Sequence, residues 1–95
     1  MTEIPTVTLF VPRALRDTCG GHKEISIAAS DVRSAFADVE RRYPELYRGI
    51  CDETAKVRRH INVFVNSLHV RDLKGLETTL KSGDEIIVLP AVSGG

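Results

Sequence analysis

Residues 83–95 read Gly83-Asp84-Glu85-Ile86-Ile87-Val88-Leu89-Pro90-Ala91-Val92-Ser93-Gly94-Gly95. Ser82-Gly83-Asp84 is a turn, and Glu85 to Leu89 is a strand that is apolar on both faces. Such a strand is covered on both sides and belongs in the middle of a sheet. Pro90 ends it, because proline fixes φ and has no N–H for a ladder, which favours release of the chain. The five residues that follow, Ala91, Val92, Ser93, Gly94 and Gly95, reach roughly 17 Å at about 3.4 Å each. All are small or moderate in size. The Gly-Gly pair has no Cβ atoms, so it can enter a channel too narrow for any other pair.

Working outward, Thr6 to Val11 alternates, with Val7, Leu9 and Val11 on one face and Thr8 and Phe10 on the other. Period two with β-branched residues predicts a strand, which Pro12 stops. Gly20-Gly21 marks a turn, and Lys23 to Ile27 alternates again as the second arm of a hairpin. The connection exceeds a tight turn, so its register is loose. Ser30 or Asp31 can cap a helix. Val32, Phe36, Val39 and Tyr43 recur at intervals of four, three and four, one stripe of a 3.6-residue period. Pro44 closes that pattern near Arg42.

The stretch 45–59 is polar and irregular, with a short helical turn near Glu45 to Ile50. His60 to Asn66 is a third strand, with Ile61, Val63 and Val65 on one face. Asn66-Ser67 turns into a short strand at Leu68-His69-Val70, and Leu73, Leu76 and Leu80 form a turn or loop against the core. The order is strand, strand, helix, strand, short strand, strand. A helix after a hairpin crosses one sheet face before later strands join, and the doubly apolar last strand takes the centre beside the first. This is an α+β, ubiquitin-like β-grasp: a mixed sheet packed on one main helix. Residues 1–90 form the domain and 91–95 a flexible tail.

Alternation sends Val7, Leu9, Val11, Ile61, Val63, Val65, Ile86 and Val88 toward the helix. It sends Phe10, Phe64, Ile87 and Leu89 to the opposite face. Burying a side chain of this size stabilises by roughly 1.5–3 kcal/mol, so leaving four exposed demands a reason. An apolar patch in line with the tail is a docking surface for partners. Scattered surface apolars are also ordinary, and a slip of one residue would reverse the faces.

The chain has 95 residues, right for one domain, and its 13 basic and 13 acidic residues balance. A balanced chain has no electrostatic reason to hold nucleic acid or an anionic membrane strongly. Its longest apolar run is four residues, far below a membrane span of roughly 18. Met1 to Pro5 lacks the basic and apolar regions of a signal peptide, so the expected location is the cytoplasm. Lys56, Arg58, Arg59 and His60 form a local basic cluster, either a solvated loop or a docking patch for an acidic partner. Cys19 and Cys51 fit no zinc or redox spacing and are expected to be free thiols. No motif binds His22, His60 and His69 into a catalytic or metal site, and no bound cofactor is expected.

A carboxylate is a poor electrophile and must be activated before attack, for instance as an acyl adenylate. That places it in line with a phosphate inside a partner's closed site, and a slim tail on a rigid domain meets the requirement. Two terminal glycines alone are a weak signal, expected by usage in roughly 0.5% of chains. Following a β-grasp strand that ends in proline, they become specific.

The whole chain resembles the ThiS/MoaD sulfur carriers, and within them the CysO-type carriers of bacterial cysteine biosynthesis. The likeness lies in Val7 to Val11, Arg59 to Asn66, Val70-Arg71, Gly83-Asp84-Glu85 and above all Leu89 to Gly95. Ser93 stands where some relatives have Ala or Thr, a small change. The resemblance implies that an E1-like adenylyltransferase/sulfurtransferase uses ATP to adenylylate Gly95. Sulfide or a persulfide donor then leaves a thiocarboxylate there. It also implies a sulfur-acceptor synthase: a PLP-dependent cysteine synthase acting on O-phosphoserine, a thiazole-synthase-like enzyme, or a maker of thiosugars. A metalloprotease removes the added cysteine and restores Gly95. Ala91, Val92, Ser93, Gly94 and Gly95 would enter the partner's active site, and the chain itself would not be an enzyme. Two other readings stay open: the small subunit of a molybdopterin synthase, and a ubiquitin-like modifier of proteins.

Overall fold

The computed structural model describes residues 3–91. The strands are β1 (Thr6–Phe10), β2 (Glu24–Ala28), β3 (Ile61–Val65), β4 (Leu68–His69) and β5 (Glu85–Pro90). The helices are α1 (Val32–Arg42) and α2 (Pro44–Ile50). The sheet order is β2-β1-β5-β3-β4. β1 and β5 run parallel, with Leu9 opposite Ile86, and the other pairs are antiparallel. Parallel neighbours need a crossover, and the chain between them provides it by laying α1 across one face. The β-grasp order expected from the sequence is the order observed.

The core lies between the sheet and the helices. Leu9 and Ile86, paired across the central strands, are fully buried, as are Val32, Ala35, Leu46 and Ile50 from the helical layer. All eight residues expected to face the helix are buried. β5 is covered on that face because Ile86 and Val88 alternate onto it beside Leu9 and Val63.

Three local features differ from the sequence reading. A seven-residue 3-10 helix, Arg13–Cys19, fills the connection between β1 and β2. It carries no sustained apolar period, and tertiary contact holds it: a Cβ on Gly49 of α2 would sit 2.8 Å from Leu15 Cδ2. Short 3-10 turns at Val70–Asp72 and Gly75–Glu77 take the place of the leucine-rich turn. Of its three leucines only Leu80 is buried, and Leu73 is exposed. Finally, Pro90 belongs to β5 and pairs with Ile61, so the strand is one residue longer than expected.

Asp31 caps α1. Its carboxylate accepts from the Ser34 amide at 2.7 Å, while the Ser34 hydroxyl accepts from the Asp31 amide, a reciprocal capping box. Hydrogen bonds from the Ser34 hydroxyl and then its amide hold the Asp31 carboxyl below the usual carboxylate range. Such a group adds stability that is present above its unfolded value, about 3.9, and is lost as pH falls through the folded one. Asp31→Ala is therefore expected to cost about 1 kcal/mol at pH 7. In denaturant titrations, the gap from wild type should narrow as pH drops below about 4. A gap independent of pH would contradict the charged cap.

Candidate functional site

The end of β5 is the root of the tail. The Ala91 amide donates to the His60 carbonyl at 2.6 Å, and the Asn66 amide donates to the Glu85 carbonyl at 2.7 Å. Backbone groups alternate along a strand, so the Pro90 nitrogen points the other way, toward β1. The β1 ladder with β5 has already stopped at Phe10 opposite Ile87. Pro90 thus occupies a position whose missing N–H has no ladder to serve, and it does not release the chain. Ala91, expected as the first residue of the tail, is still tied to the β3 side through His60. Val92, Ser93, Gly94 and Gly95 lie outside the described residues.

On the face away from the helices, register lines up one row across all five strands. Glu24, Phe10, Ile87, Phe64 and His69 stand opposite one another in turn. The expected patch residues Phe10, Phe64, Ile87 and Leu89 do share this face, but not all of them are exposed. Leu89 is 47% exposed, whereas Phe10, Ile87 and Phe64 are half-buried. Neighbours in the row cover one another, and His69 meets Phe64 edge-on with ring centroids 5.0 Å apart. The side chain of Leu89 follows Ile87 on the same face, and carries the apolar surface from the row to the tail root.

His69 is a fixture of this surface. Its Nδ1 accepts from the Arg71 amide at 3.0 Å, so its Nε2 carries the proton and donates to Asn62 Oδ1 at 3.0 Å. Both ring nitrogens are occupied, which fits a structural role.

Two clefts flank the tail root. One, of about 530 Å³, is lined by Phe10, Pro12, Ile87, Leu89 and Pro90 with Arg13 and Arg16 at its border. The other, of about 290 Å³, lies along the outer edge of β3, which β4 covers only at Phe64 and Val65. Arg58, Arg59 and Arg71 border it. The basic cluster read from sequence is therefore divided. Arg58 is half-buried and its Nε donates to the Arg48 carbonyl at 2.6 Å, while Lys56, Arg59 and His60 are exposed. Arg13 and Arg16 were not singled out by the sequence, because they sit in the connection that showed no period.

Against known proteins, the ThiS family matches residues 10–95. The chain belongs to the ThiS family. The match takes in every candidate site residue, from Phe10 to Gly95. This ThiS-family chain is similar to the sulfur carrier protein CysO of Mycobacterium tuberculosis. The two are 34% identical over 91 residues, which is 94% of this chain and 98% of that protein. It is also similar to a chain of the Amycolatopsis orientalis BexX/CysO complex, with a TM-score of 0.85 and 39% identity over 94% of this chain and 99% of that one. The small archaeal modifier protein 1 of Methanosarcina acetivorans matches with a TM-score of 0.82 and 32% identity, over 99% of this chain and all of that one.

In this ThiS-family chain neither cysteine is poised as a nucleophile. Cys19 and Cys51 are free and buried, and burial pushes the Cys51 thiol up to about 11. The reactive form is the thiolate, which is scarce at neutral pH for such a group. Among the described residues no three His, Cys, Asp or Glu side chains are grouped to hold a metal ion, and no helix is long and apolar enough to cross a membrane.

Proposed function

We propose that this chain is a sulfur carrier whose working group is the carboxylate of Gly95. One observation carries the reading: the chain is a ThiS-family member aligned nearly end to end with a protein named as a sulfur carrier. A carboxylate oxygen of Gly95 attacks the α-phosphorus of ATP on an E1-like adenylyltransferase, giving an acyl adenylate and pyrophosphate. Hydrosulfide adds to the acyl carbon and AMP departs, leaving a thiocarboxylate. The sulfur then passes to an acceptor, which for a CysO-like carrier is O-phosphoserine on a PLP-dependent cysteine synthase. Its phosphate departs as the carbon–sulfur bond forms, and hydrolysis of the adduct by a metalloprotease releases cysteine and restores the Gly95 carboxylate.

The chain contributes placement rather than catalysis. β5 lies between β1 and β3, and its last residues stay paired with β3 after the β1 ladder has ended, so the tail begins from a strand end anchored on one side. A partner docked on Phe10, Phe64, Ile87 and Leu89 would receive the tail in a defined direction, and the activating and acceptor enzymes would use that surface in turn.

Incubation with an E1-like adenylyltransferase of the same organism, ATP and sulfide should exchange one carboxylate oxygen for sulfur, read in the intact mass. No exchange, with the enzyme active on another carrier, would count against the reading. The similarity to a small archaeal modifier protein favours a second use of the same adenylate, ligation to lysines of other proteins. High-mass conjugates that vanish when Gly95 is deleted would establish it.

A further inference from the structure

The two clefts beside the tail root share a property that the overall composition hides. The protein has equal numbers of acidic and basic residues, yet Arg13, Arg16, Arg58, Arg59 and Arg71 line these clefts and no Asp or Glu does. The ion pairs among the described residues are Arg33 with Glu77, and Arg41 and Arg42 with Asp38, so none of the five takes part in one. Arg58 has a carboxylate, Asp52, close enough to feel its charge. Two of the five are fixed by backbone carbonyls: Arg16 Nε donates to Val11 at 3.1 Å and Arg58 Nε to Arg48 at 2.6 Å. A carbonyl orients a guanidinium without neutralising it. Arg13, Arg59 and Arg71 are exposed.

We infer that these arginines form a basic collar around the tail root, which docks a carboxylate-rich rim at the mouth of the activating enzyme's tail channel. The inference rests on the sulfur-carrier reading and names the chemistry of the surface that reading requires. The collar sits on both sides of β5, because Pro90 lines one cleft and its partner Ile61 lines the other. With Ala91 tied to His60, the four residues after it span at most about 14 Å. The nucleotide that meets Gly95 is therefore at the far end of the lead, and the collar faces whatever surrounds the entrance. Planar guanidinium groups suit carboxylates in paired hydrogen bonds. Both clefts also have apolar walls, Phe10 and Leu89 in one and Val70 and Leu76 in the other, so the matching rim carries acidic side chains among apolar ones. Charges outside the apolar contact act mainly on encounter, raising the association rate and fading with salt.

The test combines Arg13→Gln, Arg59→Gln and Arg71→Gln, leaving the two carbonyl-bound arginines in place. Association with the E1-like enzyme is followed by stopped flow across a salt series, with thermal unfolding as a check on folding. Wild type should associate on the order of tenfold faster than the triple variant at low salt, and the two rates should converge as salt rises. The thiocarboxylation rate at saturating carrier should be unchanged. If the variant keeps the wild-type rate and salt slope while still gaining sulfur, the collar is overturned and the carrier function stands. A wild-type chain that gains no sulfur overturns the carrier reading itself.

Discussion

Replacing Gly94 by valine is expected to abolish thiocarboxylation of Gly95 while leaving the unfolding curve in place. Valine adds a branched side chain that narrows the allowed backbone conformations and widens the lead where a closed channel must pass it. The carboxylate must lie in line with the α-phosphorus, and a misplacement of about 1 Å costs on the order of a hundredfold in rate. Deleting Gly95 draws the carboxylate back by about 3.4 Å and should be as damaging. Stability should hold because the core is built from residues between Val7 and Val88. Intact-mass time courses with activating enzyme, ATP and sulfide measure the first effect, and thermal unfolding the second. A Gly94→Val chain converted at the wild-type rate would remove the channel requirement.

The second large effect separates the two faces of the sheet. Ile86 is fully buried beside Leu9, and Ile86→Ala is expected to cost about 2–5 kcal/mol of folding stability. That is a large part of the roughly 5–15 kcal/mol available to a domain. Val63→Ala, on the same face, should cost roughly 1 kcal/mol or more. Both should affect partner binding only through loss of folded protein. Phe64→Ala acts on the other face and should weaken binding to the activating enzyme more than tenfold, about 1.4 kcal/mol. Its contact with the His69 ring adds a folding cost of about 0.5–1.5 kcal/mol, which full exposure of Phe64 would not have predicted. Denaturant titration and a binding isotherm on each variant decide the matter. A Phe64→Ala chain with unchanged affinity would remove the open face from the docking surface.

Much of the fold was legible because its signals are local. The alternation of Val7, Leu9 and Val11, the stripe of Val32, Phe36 and Val39, the cap at Asp31 and the helix stop at Pro44 each need only a few neighbouring residues. The 3-10 helix at Arg13–Cys19 was not legible, because packing of Leu15 on Gly49 rather than any period holds it. Pro90 misled for a related reason. Its lack of an N–H argued for release, and only the early end of the β1 ladder shows that no donor is needed there.

The sequence alone determined the strand faces, the central place of β5 through its doubly apolar character, and the slim Gly-Gly lead, since each follows from residue type and spacing along one segment. The tertiary structure alone decided which side chains meet across segments. It set His69 edge-on against Phe64, partly covered three of the four expected patch residues, and gathered arginines from three separate stretches around the tail root. Those arrangements depend on strand order and register, so no reading along the chain can supply them.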